Sequence, residues 1–230
     1  MEEGKLGAVR VEEGVFMIGG SELTLPEDCS VYLLDLGDLV LIDCGAGRSY
    51  SMLVDNIKSL GLNPERLHTL VLTHCHIDHI GAAGNFRKDY ACKIVAHSAD
   101  ARAIEEGDIS MTGADLYGMQ FPPTRLDQVL EGKEMRFDFE RGSLKGLHTP
   151  GHTPGSISLY CDRGVRILFG QDIHGPFMAR FGSDINQWRI SMEELLKLDA
   201  DILCEGHFGI YRTKEAIREY IMGYIRMYAG

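Results

Sequence analysis

The chain has 230 residues, 44% of them hydrophobic, which is enough to bury a substantial core and sits within the size range of one domain. Thirty-four acidic against 23 basic residues give a net charge of −11, which opposes unspecific attraction to nucleic acid or anionic lipid. The start Met1-Glu2-Glu3-Gly4-Lys5 lacks the basic, apolar pattern of a secretion signal, and no apolar run is long enough to span a bilayer. The six cysteines form no CxxC pair and read as reduced, mostly buried thiols. The expectation is a cytoplasmic protein, a single domain over residues 1–230, acting on a small molecule without a nucleic-acid or membrane partner. Its oligomeric state is left open.

In chain order, apolar runs at 15–18, 30–34 and 39–43 predict strands, with Gly37-Asp38 as a hairpin turn. Residues 49–60 place Met52, Leu53, Ile57 and Leu60 on one helical face, and Gly61 stops the run. Leu70-Val71-Leu72 predicts a strand running straight into a histidine cluster. A strand at 94–96 and a helix at 99–106 follow. Residues 107–134 read as irregular, broken by Gly113, Gly118, Pro122 and Pro123, and are expected to form a lid or insertion. Strands resume at 135–139, 157–160 and 165–169, then a helix at 192–198, a strand at 201–204 and a helix at 213–227. This order predicts two similar α/β halves with sheets packed together and helices outside.

The strongest chemical signal is His74-x-His76-x-Asp78-His79. On extended backbone, residues two apart point the same way, so His74 and His76 can converge on one ion, while Asp78 and His79 at the following turn aim at another. Desolvating three imidazoles and a carboxylate together is costly without a metal. Three further segments each put a His or Asp in a Gly-rich loop beside a strand-like run: His148-Thr149-Pro150-Gly151-His152-Thr153-Pro154-Gly155, Gly170-Gln171-Asp172 and Gly206-His207. Cys75, between two presumed ligands, is expected to be a spacer pointing away from the metal, since thiolate ligands usually come in sets. His97 and His148 are expected to be structural, and His68 solvated.

Taken together and in this order, HxHxDH, the lone His of the PGHTPGS loop, the Gly-x-Asp and the Gly-His resemble the metallo-β-lactamase superfamily, the fold of glyoxalase II and of acyl-homoserine-lactone lactonases. The resemblance implies an α/β fold, a four-layer αββα sandwich of two mixed β-sheets with helices on both outer faces. It implies that His74, His76 and His152 form one metal site, Asp78, His79 and His207 a second, and that Asp172 bridges them. Asp43, in Leu41-Ile42-Asp43-Cys44-Gly45, resembles a family aspartate that supports the metal loop. The implied cofactor is two divalent ions, zinc first, with iron or manganese as alternatives, because imidazole and carboxylate suit zinc and leave room for a bridging water. The expected reaction is attack of a metal-bridging hydroxide on a small ester, lactone or thioester.

His76 stands where the di-iron flavoprotein branch has Glu, which disfavours electron transfer. Ile80-Gly81-Ala82-Ala83 departs from the glycine pair of glyoxalase II, and Ile173-His174-Gly175 offers no lactonase-type tyrosine. Asp78 and His174 are the expected catalytic side chains, His174 orienting substrate or protonating a leaving group. Phe177, Met178, Phe181, Met119, Phe121, Pro122 and Pro123 are candidates for an apolar pocket over the metals. The alternative function is a mononuclear-iron oxygenase like the superfamily's persulfide dioxygenases. A nuclease and a binding protein of weak turnover follow.

Overall fold

The computed structural model describes residues 7–228. The chain opens with β1 (Val9–Glu12), β2 (Val15–Gly19), β3 (Val31–Leu36) and β4 (Asp38–Ile42), an antiparallel meander. Helix α1 (Tyr50–Ser59) crosses to β5 (Leu67–Val71). A short helix, α2 (Ile77–Ile80), then α3 (Ala83–Tyr90), β6 (Lys93–His97), α4 (Ser98–Glu106) and β7 (Gln128–Leu130) complete a seven-stranded sheet, whose β4 to β7 run parallel.

The second sheet starts with the antiparallel run β8 (Glu134–Phe139), β9 (Gly142–His148), β10 (Ile157–Asp162) and β11 (Arg166–Gln171). Helix α5 (Ile185–Lys197) then returns the chain to β12 (Ile202–Glu205), parallel to β11. β13 (Ile210–Arg212) and α6 (Lys214–Tyr228) close the fold.

Side-chain alternation builds the layers. In β4, Leu39 and Leu41 join a core with α1, α3 and α4, while Val40 and Ile42 face the other way into a core shared with the second sheet. In β11, Ile167 and Phe169 fill that shared core, and Leu168 meets Trp188 and Met192 of α5 and Ile221 of α6. Three apolar layers separating helix, sheet, sheet and helix give the αββα sandwich. Fully burying each such Leu, Ile or Phe contributes about 1.5–3 kcal/mol before conformational entropy is set against it.

Several elements differ from the sequence reading. Residues 107–134 are not irregular throughout: they hold a 3-10 turn at Ala114–Tyr117 and end in β7, whose Val95↔Gln128 to His97↔Leu130 pairing extends the first sheet. With three residues and only Leu130 buried, β7 is too short for its alternation to register. Helix α5 begins seven residues before the predicted 192, because Asp184 caps it, accepting from the backbone N–H of Asn186 and Gln187. β1, α3, β9 and β13 had no counterpart in the sequence reading. Among the described residues, no helix is long and apolar enough to cross a membrane.

Candidate metal centre

The donor-bearing segments follow the C-terminal ends of β4, β5, β9, β11 and β12, which share one rim of the sandwich. Backbone bonds tie the two sheets there: Ile157 N–H donates to Thr73 O at 2.8 Å, and Ser30 N–H to Gly206 O at 2.6 Å. Asp100, buried on α4, holds the two histidine loops together, accepting from Cys75 N–H at 3.0 Å, Thr153 Oγ1 at 2.7 Å and Gly155 N–H at 2.7 Å. The sequence reading missed Asp100, which sits inside an ordinary amphipathic helix and adjoins no motif.

On this rim all seven predicted ligands come together. His76 Nδ1 lies 3.1 Å from His74 Nε2 and 2.9 Å from His152 Nε2. Asp172 Oδ2 stands 3.3 Å from His152 Nε2 and 3.9 Å from His74 Nε2. The other oxygen, Oδ1, is 3.2 Å from His79 Nε2 and 3.4 Å from His207 Nε2. Asp78 Oδ2 completes the second group, 3.6 Å from His79 Nε2 and 3.3 Å from His207 Nε2. Each oxygen of Asp172 therefore belongs to one donor set.

Hydrogen bonds behind the site fix which ring nitrogens present lone pairs. His79 Nδ1–H donates to Asp43 Oδ2 at 2.7 Å, and His152 Nδ1–H donates to Pro176 O at 2.9 Å. Thr73 Oγ1 donates to Asp43 Oδ2 at 2.7 Å, so at 3.2 Å it accepts from His74 Nδ1–H. In all three rings Nδ1 is taken up behind the site and Nε2 faces the other donors. His79 Nε2 and Asp172 Oδ1 are both buried without a hydrogen-bond partner and face each other at 3.2 Å. A ring nitrogen and a carboxylate oxygen held this close suit a cation between them, a proton in the stripped protein or a metal ion in its place, so the residues fit divalent metal.

The field within the site is uneven. Burial, then neighbouring imidazoles, pushes His74 well below its ordinary value and His76 down to about 3. Burial also opposes charge on His79 and His207, but it is outweighed. Cys29 and the carboxylates of Asp172, Asp78 and Asp43 raise His79, and the carboxylates of Asp172 and Asp78 raise His207 to about 10. Burial works against ionisation of Asp172, yet His79 and His207 hold it well below the usual carboxylate range.

Cys75 is buried, with Sγ 3.7 Å from Met111 O and apart from the donor sets, as a spacer would be. Cys29 lies behind the site, its Sγ within 4.8 Å of donor atoms of Asp43 and His79, and burial pushes its thiol up to about 12. All six cysteines are free and buried. His97 and His148 stack at 3.8 Å, and His148 Nε2–H donates to Pro154 O; His68 is exposed.

A cavity of about 480 Å³ opens above the donors. Of the predicted pocket residues, Met178 and Phe181 line it. Phe177 instead packs on Trp188 and Tyr228, Phe121 is buried in the core beside α4, and neither Met119, Pro122 nor Pro123 reaches the lining. Leu116, Tyr117 and Phe208, which the sequence reading missed, take their place. Burial, then the carboxylate of Asp78, pushes the Tyr117 phenol up to about 12, so it is a hydrogen-bond donor at neutral pH. His174 also lines the cavity; its Nδ1 is 2.9 Å from Oε1 of the buried Glu205, whose Oε2 accepts the backbone N–H groups of His207 and Phe208.

Imidazole and carboxylate donors closed behind by hydrogen bonds and open in front to a cavity make a cluster that could hold divalent metal within reach of a small molecule. The chain belongs to the metallo-beta-lactamase superfamily, whose family model matches residues 24–207 and so includes every donor named above. It is 25% identical over 175 residues to a probable metallo-hydrolase of Methanocaldococcus jannaschii, covering 73% of this chain and 82% of that one. To the hydroxyacylglutathione hydrolase GloC of Haemophilus influenzae it is 27% identical over 197 residues, covering 81% and 87%. Among solved structures it resembles the class B3 di-zinc metallo-beta-lactamase LRA-12 from an Alaskan soil metagenome, with a TM-score of 0.80, 21% identity, and 100% and 97% of the two chains covered.

Proposed function

We propose that this chain is a hydrolase of small esters, lactones or thioesters that works with two divalent ions, zinc first among them. The observation that carries the reading is Asp172, which clusters with His74, His76 and His152 through Oδ2 while its Oδ1 faces His79 and His207, the two histidines that Asp78 also approaches. His74, His76 and His152 would hold one divalent ion and Asp78, His79 and His207 another, and such ions would supply Lewis acidity and water of lowered pKa for hydrolysis.

The chain's own residues then have defined tasks. Asp43, Thr73 and Pro176 orient the ligand imidazoles, and Asp78 serves as a ligand at the reacting centre. His174 donates Nδ1–H to Glu205, which fixes its ring at the cavity wall, where it positions substrate. Tyr117 supplies a phenolic donor from the opposite segment of the wall. Six free thiols suit a reducing compartment such as the cytoplasm.

The test is elemental analysis of protein purified without chelator or added metal, paired with hydrolysis assays on an ester, lactone and thioester panel. Two zinc ions per chain with turnover that chelation abolishes is the expected result. One iron per chain with oxygen consumption and no hydrolysis overturns the reading in favour of an oxygenase.

A further inference from the structure

Away from the donors the cavity walls are mainly apolar, with Pro26, Leu116, Pro176, Met178, Phe181 and Phe208, and the polar groups among them, Ser21, Thr112 and the Tyr117 phenol, are uncharged. Among the described residues, no Lys or Arg lines it. The cation nearest along the chain is Arg180, which sits between the lining residues Met178 and Phe181. Its Nη2 is spent on Asp115, at 2.6 and 2.8 Å from the two carboxylate oxygens, and on Ser110 O at 3.0 Å. The guanidinium lies over the Phe181 ring at 5.4 Å, and Nε is buried with no acceptor. Asp115 itself sits between Ala114 and the lining residue Leu116 on the opposing segment, so the ion pair joins the two lips of the cavity and neutralises this guanidinium.

We propose that the site selects an electrically neutral acyl substrate, an ester, lactone or thioester whose arm beyond the reacting carbonyl is apolar and carries no carboxylate or phosphate, and that Asp115 enforces this by occupying Arg180. The proposal rests on the hydrolase reading and narrows it. An apolar arm gains by leaving water against these side chains. A carboxylate on an arm pointing away from the donors loses its hydration and meets no Lys or Arg along the wall, in a chain whose net charge of −11 already repels anions. The scissile carbonyl is polar in both cases, so the discrimination falls on the arm alone.

The experiment uses the zinc-loaded protein and two matched pairs. One pair is γ-butyrolactones that carry on the ring either a CH2CH2CH(CH3)2 arm or the isosteric CH2CH2COO⁻ arm. The other is a single acyl group as its N-acetylcysteamine thioester or its glutathione thioester. In whichever pair is hydrolysed, kcat/KM for the neutral member should exceed that of the anionic one by about tenfold or more, and Asp115→Asn should narrow that ratio by releasing Arg180. A ratio at or below one overturns the proposal and leaves the hydrolase reading standing. A ratio unmoved by Asp115→Asn overturns the part assigned to Asp115. No turnover of any of the four compounds overturns the hydrolase reading and this proposal with it.

Discussion

His79 and Asp43 form a buried pair in which the ring Nδ1–H donates to Oδ2 at 2.7 Å, and neither side chain is exposed to solvent. That carboxylate also accepts Thr73 Oγ1 at 2.7 Å, its other oxygen accepts Thr73 N–H at 2.8 Å, and Gln171 Nε2 donates to it as well. Asp43 therefore sets the tautomer of His79 directly and that of His74 through Thr73. Asp43→Asn puts an amide N–H among these donors, and Asn accepts the left-handed backbone of this position, φ 59. We expect zinc affinity to fall by about 10–100-fold with the fold retained. Zinc titration against a competing chelator, with circular dichroism as the control, checks it; unchanged affinity would show that the tautomer is set elsewhere.

The two donor sets should respond differently to pH. His207 is held up to about 10 and His79 is raised, so in protein stripped of metal the second set carries protons that a cation must displace. A folded value above the unfolded one of about 6.5 means that the proton's stabilising contribution is complete below about 6.5 and is lost as pH rises through about 10. Affinity at this set should therefore climb with pH between about 6 and 9, by up to about tenfold per unit for each proton displaced. The first set, with His76 pushed down to about 3 and His74 also lowered, is already free of protons there and should bind with little pH dependence. Zinc isotherms at several pH values that show two steps, only one of them moving, are the expected result.

Asp100 supports the site without touching it. Replacing it by Ala removes the acceptor of Cys75 N–H, Gly155 N–H and Thr153 Oγ1, all buried. At about 1 kcal/mol or more for each donor left unpaired, Asp100→Ala should cost about 3 kcal/mol, read as a lower midpoint in urea. Loss of metal at unchanged stability would assign it a different role.

His174 has Nδ1 anchored on Glu205, so the role proposed for it separates from metal binding. His174→Ala should leave zinc content at the wild-type level and lower kcat/KM by about 10–100-fold. Glu205→Gln should also lower kcat/KM, by less, because the amide still meets the ring while its hold on the His207 and Phe208 N–H groups weakens. A His174→Ala protein that has lost zinc would make His174 a ligand instead, a result the proximity of its donor atoms to Asp172 and His207 allows for.

The donors were legible because His74, His76, Asp78 and His79 cluster just after the predicted strand at 70–72, while His152, Asp172 and His207 stand near glycines in loops whose order resembles the family's motifs. The layers were legible because strands and helices recur in the same order in both halves, and β4 and β11 are unbroken apolar runs of the kind buried on both faces. What the sequence hid depends on contacts across the chain. Glu205, directly after the predicted strand at 201–204, belongs to no donor motif, yet it is fully buried with its carboxylate on His174. Leu116 and Tyr117 gave no periodic signal, and the prolines and Phe121 that were expected at the pocket turn into the core or away from it.

The close packing behind Asp172 gives the last prediction. A Cβ on Gly206 would stand 2.6 Å from Asp172 Oδ1, the oxygen that faces the second donor set, and 3.1 Å from the Gln171 carbonyl carbon. The backbone of Gly206 is not in the left-handed region, so the requirement for glycine there is one of space. Gly206→Ala must therefore rotate the shared carboxylate or push β11 and β12 apart, and metal retention should fall by about tenfold or more. Gly209, three residues on, is the converse case: φ is +92 and nothing lies within 4 Å of its Cβ position. Gly209→Ala should lose about 1 kcal/mol of stability through backbone strain and keep its zinc. Measuring metal content and thermal midpoint for both variants separates crowding of a ligand from strain in a turn, and equal zinc loss in the two would mean that the loop, rather than the oxygen, sets the affinity.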